Sequence, residues 1–163
     1  TAPGAEHALD GLTNMLEQCR EQFTYTLIDC PAGLDEQVYA FATGADRAVV
    51  VSTPDTSALR IAQAAGMALD ERGQRAVRIA VSRARKKLMR HGGARGVDEA
   101  MDLAGMPLPG VIPEDEQVLV CGNRGEVLLL NAVSPAVSAY ANIAARLRGQ
   151  RVPLFEGVKG FDS

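Results

Sequence analysis

Apolar and polar positions follow two periods along the chain, and their order predicts strands interleaved with helices. Leu9, Leu12, Met15, Leu16 and Cys19 recur at helical spacing and predict a helix over 9–22. Phe23 to Cys30 (FTYTLIDC) is β-branched and aromatic, which predicts a buried strand ended by Pro31. A second helical stretch is expected over 34–43. Arg47-Ala48-Val49-Val50-Val51-Ser52 predicts a strand buried on both faces, as in parallel sheets. The Ala-rich stretch 56–72 reads as a helix with Gly73 as its C-cap. Ala76 to Ser82 predicts another strand, followed by a basic loop and a short helix over 97–104. Leu108 to Ile112 predicts a short strand stopped by Pro113, and 115–121 one or two helical turns. The last helix has the clearest signals: Ser134 as N-cap, Pro135 at the first helical position and Gly149 just past the end. Val137, Tyr140, Ala141, Ala144 and Leu147 are expected to line its buried face.

Strands alternating with helices imply an α/β fold, a mostly parallel sheet flanked by helices on both faces. A length of 163 residues suits a single core. The boundaries expected are a domain over 1–155 and a tail over 156–163. Trp is absent and aromatics are 4% of the chain, so Val, Leu, Ile, Ala and Met must build the core. The formal net charge of −3 argues against non-specific nucleic-acid binding, which needs a basic footprint. Cys19, Cys30 and Cys121 are odd in number and widely spaced, so they read as reduced thiols of a cytoplasmic protein. The start, Thr1-Ala2-Pro3-Gly4, lacks the pattern of a signal peptide and lacks a Met, which hints that it is not a natural start. No apolar run reaches the roughly 18 residues of a membrane span.

In parallel α/β sheets, ligands bind at the carboxyl ends of the strands. That rule selects Asp29–Gly33, Ser52–Asp55, Ser82–Arg85 and Pro113–Asp115. A carboxylate at the end of a buried strand, as expected for Asp29, is placed to hold Mg²⁺ through water. Gly33 lets backbone N–H groups approach a phosphate. The same Asp29 also reads as a plain N-cap of the next helix. Ser82-Arg83 reads either as the frame of a nucleotide base or as surface. Glu114, Asp115 and Glu116 read either as a ligand loop or as the acidic residues any helix N-terminus favours.

The order of these pieces decides more than each alone. YTLIDCPAGL, GADRAVVVSTPDTSALRIA, SRAR, GVDEAMDLAGMPLPGVIPEDEQVLVCGNRGE and SPAVSAYANIAARL follow one another without a large gap. Together they resemble the ParA/MinD family of P-loop ATPases, in its bacterial division-site branch, from about residue 9 to Phe155. The resemblance implies a P-loop NTPase-like fold that uses ATP and Mg²⁺. It makes Asp29 the switch carboxylate that reaches Mg²⁺ through water and orients the attacking water. Pro31, Ala32 and Gly33 become the loop that senses the γ-phosphate. Ser82 and Arg83 border the adenine, with Ser82 where relatives often carry Asn. Pro113, Glu114 and Asp115 close the other side of the base. The resemblance also implies dimerisation around ATP, a division inhibitor as partner, and peripheral attachment of intact relatives to the inner membrane by an amphipathic C-terminal helix.

Two departures set further expectations. The family's Gly- and Lys-rich P-loop lies well upstream of the switch carboxylate, whereas 28 residues precede Asp29 here. The chain has no Gly-Lys pair, and its lysines are Lys86, Lys87 and Lys159. The phosphate cradle is therefore expected to be missing, with weak or absent nucleotide binding and no meaningful ATP hydrolysis by this chain alone. The central strand that leads to the P-loop is expected to be missing as well. That leaves apolar edges to be met by direct pairing of the strands ending at Asp29 and Ser52, by another copy, or by a separate half. The ending Val158-Lys159-Gly160-Phe161-Asp162-Ser163 lacks a long basic amphipathic helix, so membrane binding is not expected.

Arg83, Arg85, Lys86, Lys87, Arg90, His91 and Arg95 fall within 13 positions. They read as a solvated loop or as a surface for nucleic acid or an acidic partner, the former favoured by the overall charge. His7 and His91 are too isolated for a metal site. Two other functional readings remain at this level: a non-catalytic interaction module of the same family, and a receiver-like domain with Asp29 as phosphoacceptor. The receiver lacks its acidic pair and its lysine.

Overall fold

A computed structural model describes residues 3–31, 33, 35–85 and 97–158. The elements run α1 (Pro3–Gln22), α2 (Glu36–Gly44), β1 (Ala48–Ser52), α3 (Thr56–Glu71), β2 (Val77–Ala84), α4 (Val97–Ala104), β3 (Gly110–Pro113), α5 (Glu116–Arg124), α6 (Leu128–Asn131) and α7 (Pro135–Leu147). The described strands form one sheet in the order β1-β2-β3, so sequential strands are neighbours. The chain divides into two compact units, Thr1–Ala48 with Met67–Val77, and Val49–Gly66 with Arg78–Ser163.

The first unit is tied by side chains that reach backbone carbonyls. Leu16 of α1 is buried, and its Cδ1 would stand 2.7 Å from a Cβ on Gly44, too close for one. The Arg20 guanidinium donates to Gly44 O at 2.9 Å and pairs with Asp46 at 3.2 Å. Gln74 is a buried amide with its bonding capacity used: Nε2 donates to Ala42 O and Ala45 O at 2.7 and 2.8 Å, and Oε1 accepts from the Ala76 N–H at 2.9 Å. Burying an amide is tolerable only with such partners. The Arg72 guanidinium lies 3.7 Å above the Tyr39 ring and 3.4 Å from Glu36, a cation–π and ionic pair on α2.

The second unit holds the clearest core. β3 pairs parallel to β2 with Ala80 opposite Gly110, Val81 opposite Val111 and Ala84 opposite Pro113; the register shifts between Val81 and Ala84. All four β3 residues are buried. Helix α7 packs on β3, with Ile112, Ala136, Ala139, Ile143 and Val158 buried together and Leu128, Tyr140, Leu147 and Phe155 around them. Gly110 is required by this approach, because a Cβ there would overlap the Ile143 side chain. Arg146 locks the assembly by donating to Pro109 O at 2.6 Å, Val152 O at 2.8 Å and Pro153 O. These carbonyls replace a carboxylate partner, and burial pushes the guanidinium pKa down.

The predicted helices and the strands after residue 46 are present, with shifts at their ends. Four expectations need correction. Phe23–Cys30 forms no strand: it has no regular secondary structure, and Leu27 is 95% exposed. A strand exists only through a neighbour that accepts its ladder, and no described strand supplies one there. β1 is not buried on both faces, since Val49 and Val51 are exposed while Ser52 is buried; among the described strands it lies at the edge of the sheet. On α7, Ala136, Ala139, Ile143 and Ala145 are buried and the predicted Tyr140 and Leu147 pack against that core, whereas the predicted Ala141 and Ala144 are exposed. The close approach of α7 at Gly110 makes Ile143 a contact residue. Finally, α5 continues to Arg124 and is closed by Gly125 at φ 67, and α6 was not expected at all.

Candidate functional site

The second unit brings Ser82, Arg83, Pro113, Glu114 and Asp115 together at the carboxyl ends of two parallel strands. The Glu114 N–H donates to Ala84 O at 3.0 Å, so the loop after β3 is stitched to the end of β2 by the backbone. Arg83 has φ 57, the one positive φ of a non-glycine residue among the described residues. This conformation costs an ordinary side chain about 1 kcal/mol. It coincides with the register shift between Val81 and Ala84. Ser82 is half-buried, Ala84 and Pro113 are buried, and Arg83 and Arg85 are exposed.

Glu114 receives both arginines. Arg85 donates from Nε to the Glu114 carboxylate, and Arg83 Nη2 stands 3.6 Å from its other oxygen. The Arg85 hydrogen bond holds the Glu114 carboxyl below its usual range, and the same bond raises the Arg85 pKa. Exposed pairs of this kind contribute little to stability, so their value lies in where they hold the groups.

Asp115 has a different task. Its carboxylate accepts from the Gln117 N–H at 3.0 Å and from the Ala136 N–H at 3.2 Å, so it caps α5 and also meets the start of α7. Partial burial pushes its pKa up, but the Ser134 hydroxyl and these two N–H groups outweigh it and bring the pKa below 3.8. Asp115 is thus a structural joint beside the site.

The first unit carries Asp29, Cys30, Pro31 and Gly33, all exposed. Ala32 lies outside the described residues. Gly33 takes φ 118, a conformation that favours glycine. Asp29 does not cap the following helix: Asp35 does, accepting from the Val38 N–H at 2.9 Å. The Asp-Glu-Gln-Val sequence just before the apolar run was the available signal for that cap. Asp29 also does not end a buried strand, as expected from the sequence. Among the described residues, no group of three or more His, Cys, Asp or Glu side chains is placed to hold a metal ion. A single exposed carboxylate suits a contact to Mg²⁺ through water.

After β1, Thr53 donates its hydroxyl to Asp55, and Asp55 accepts from the Ala58 N–H at 2.9 Å at the start of α3. The Thr53 bond, then the Ala58 N–H, lower the Asp55 pKa. Of the predicted basic cluster, Arg83 and Arg85 are engaged with Glu114; Lys86, Lys87, Arg90, His91 and Arg95 lie outside the described residues. Among the described residues no helix is long and apolar enough to cross a membrane.

Sequence reasoning missed two features. One is the pairing of Arg85, a residue the strand-end rule had selected, with Glu114, 29 positions on. The other is a set of exposed apolar side chains on α5, α6 and the residues flanking α6: Leu119, Val127, Leu129, Leu130 and Val133. The run Val127-Leu128-Leu129-Leu130 was its visible sign.

No protein-family model matches the chain. Among curated proteins it is similar to the septum site-determining protein MinD of Bacillus subtilis (strain 168), 35% identical over 148 residues, 90% of this chain and 55% of that protein. The MinD of Synechocystis is 31% identical over 146 residues, 89% of this chain and 55% of that protein. Among solved structures, the MinC:MinD cell division protein complex of Aquifex aeolicus matches with a TM-score of 0.85 and 27% identity, over 90% of this chain and 61% of the matched one. MinD of Pyrococcus horikoshii, complexed with Mg-ADP, matches with a TM-score of 0.72 and 25% identity, over 83% of this chain and 55% of that one. The chain spans about half the length of the curated relatives it matches. In sequence and in fold, it is related to the MinD septum site-determining proteins over that portion of their length.

Proposed function

We propose that this chain is the C-terminal, switch-and-base-side portion of a MinD-like ATPase that acts in division-site placement. The observation that carries the proposal is the continuous similarity to MinD over 90% of the chain, in which SRAR and GVIPEDE meet at the ends of β2 and β3. In this reading Ser82 and Arg83 border one side of a nucleotide base, and Pro113 and Glu114 the other, while Asp115 holds the second loop in place by its caps. Asp29, with Pro31, Ala32 and Gly33, is the switch segment, and Asp29 contacts Mg²⁺ through water only when phosphates are held by other groups. This chain has no Gly-Lys pair to hold them. Phosphoryl transfer rests on such positioning, so the chain alone binds nucleotide weakly and does not turn it over. A division regulator is the proposed partner, by analogy with the MinC:MinD complex of Aquifex aeolicus.

A second reading has one observation in its favour. The exposed leucines of α5 and α6 suit a non-catalytic interaction module that keeps a partner surface. Calorimetry of the purified chain with Mg-ATP separates the two. Weak heat that disappears in Arg83→Ala supports the base-side reading; absence of any heat up to millimolar nucleotide supports the module.

A further inference from the structure

The two guanidinium groups on Glu114 are not equivalent. Arg85 makes a direct hydrogen bond to the carboxylate, whereas Arg83 stands off at 3.6 Å from the other oxygen. Arg83 is the more exposed of the two, with 72% of its side chain open to solvent against 60% for Arg85. It also carries the left-handed backbone at the register shift, while Ala84 beside it is buried and bonded to the Glu114 N–H. Arg83 therefore bridges two loops across their mouth by a long, weak contact, and Arg85 supplies the tighter bond that keeps Glu114 paired.

We propose that Arg85 is a positioning residue for the base side: it keeps Glu114 neutralised so that Arg83 is free to leave the carboxylate and lay its guanidinium on the planar base of a nucleotide. This rests on the base-side reading of the two loops. The physical logic is an exchange. A guanidinium stacks on an aromatic face as readily as it pairs with a carboxylate. Its departure from Glu114 costs least when the carboxylate retains another partner, because a carboxylate left alone beside the loop backbone would hold Arg83 back. Without Arg85, the sole cation on Glu114 among the described residues is Arg83, and the ligand must compete with it.

The test is a titration of the purified chain with ADP to millimolar concentration, followed by the NMR signals of the arginine Nε–Hε groups. Four forms are compared: the unaltered chain, Arg85→Gln, Arg85→Lys, and Arg85→Gln combined with Glu114→Gln. The unaltered chain should show ADP moving the Arg83 signal, with the Arg85 signal staying near its bonded position. Arg85→Gln should bind ADP about twofold to fivefold more weakly, the range of an exposed ion pair, and Arg85→Lys should recover most of that loss. The double substitution should recover it as well, because removing the charge on Glu114 removes what detains Arg83. A purely structural role for Arg85 predicts no recovery in the double form, and that result overturns the proposal. Unchanged ADP affinity in Arg85→Gln does the same while leaving the base-side reading intact. If ADP shifts no arginine signal in the unaltered chain, the base-side reading itself fails, and the exchange fails with it.

Discussion

Phe23–Cys30 and Gly110–Pro113 make an instructive pair. Both are short and bounded by proline, and the first has the stronger strand composition, with Phe23, Thr24, Tyr25, Thr26 and Ile28. Yet Gly110–Pro113 is a fully buried strand, paired in parallel with β2 and roofed by α7. Phe23–Cys30 has no regular secondary structure and leaves Phe23, Tyr25 and Leu27 exposed. Its start still donates the Phe23 N–H to Cys19 O at 2.9 Å, finishing the turn of α1. The difference teaches that β-propensity measures fitness for a pleated, covered surface, not an ability to create one. A glycine of poor propensity sits in β3 because α7 needs the room, while good strand formers stay open for want of a ladder.

The comparison is broken or sharpened by substitutions on its two sides. The largest effect is expected from Ile143→Ala, which opens the contact of α7 on β3; urea unfolding should report a loss of about 3 kcal/mol. Gly110→Ala attacks the same contact from the strand and should cost about 2 kcal/mol by overpacking. Combined with Ile143→Val it should cost less than the sum, because the smaller neighbour makes room. Full additivity would mean that the two residues do not share one contact.

Asp115→Asn comes next, at about 1 kcal/mol, the scale of a lost helix cap. It also alters the acid limb. Because its folded pKa lies below 3.8, Asp115 binds fewer protons folded than unfolded in the interval between the two values. Its contribution is therefore fully present above 3.8 and disappears as pH falls through the folded pKa. Acid unfolding followed by circular dichroism should show a shallower loss below pH 3.8 in Asp115→Asn than in the unaltered chain. The smallest effect belongs to the open segment: Leu27→Ser should change stability by under about 0.5 kcal/mol. A loss above 1 kcal/mol would show that Leu27 is covered in solution and that the contrast between the two stretches is false.

These cases also mark how much was readable in advance. The end signals of α7 are local, Ser134 and Pro135 at one end and Gly149 at the other, and they placed the helix correctly. Its buried face was legible in part, at Tyr140 and Leu147; Ile143 was not, since its contact is Gly110, a residue of another element. The alternation of strands and helices and the loops at the strand ends were legible from period and order. The fate of Phe23–Cys30 was not, since it depends on a ladder partner. At the site, the acidic and basic residues of SRAR and PEDE were visible, but the division of labour between Glu114, held by two arginines, and Asp115, spent on two helix starts, is tertiary.

The central claim of the proposed reading is that Asp29–Gly33 as a switch segment, with the loops after β2 and β3 as the base side, does not make a working ATPase without a phosphate cradle. Phosphate release by the purified chain in Mg-ATP is the direct measurement. The account predicts release no faster than in buffer, unchanged by Asp29→Ala; Mg-dependent turnover that Asp29→Ala abolishes would contradict it.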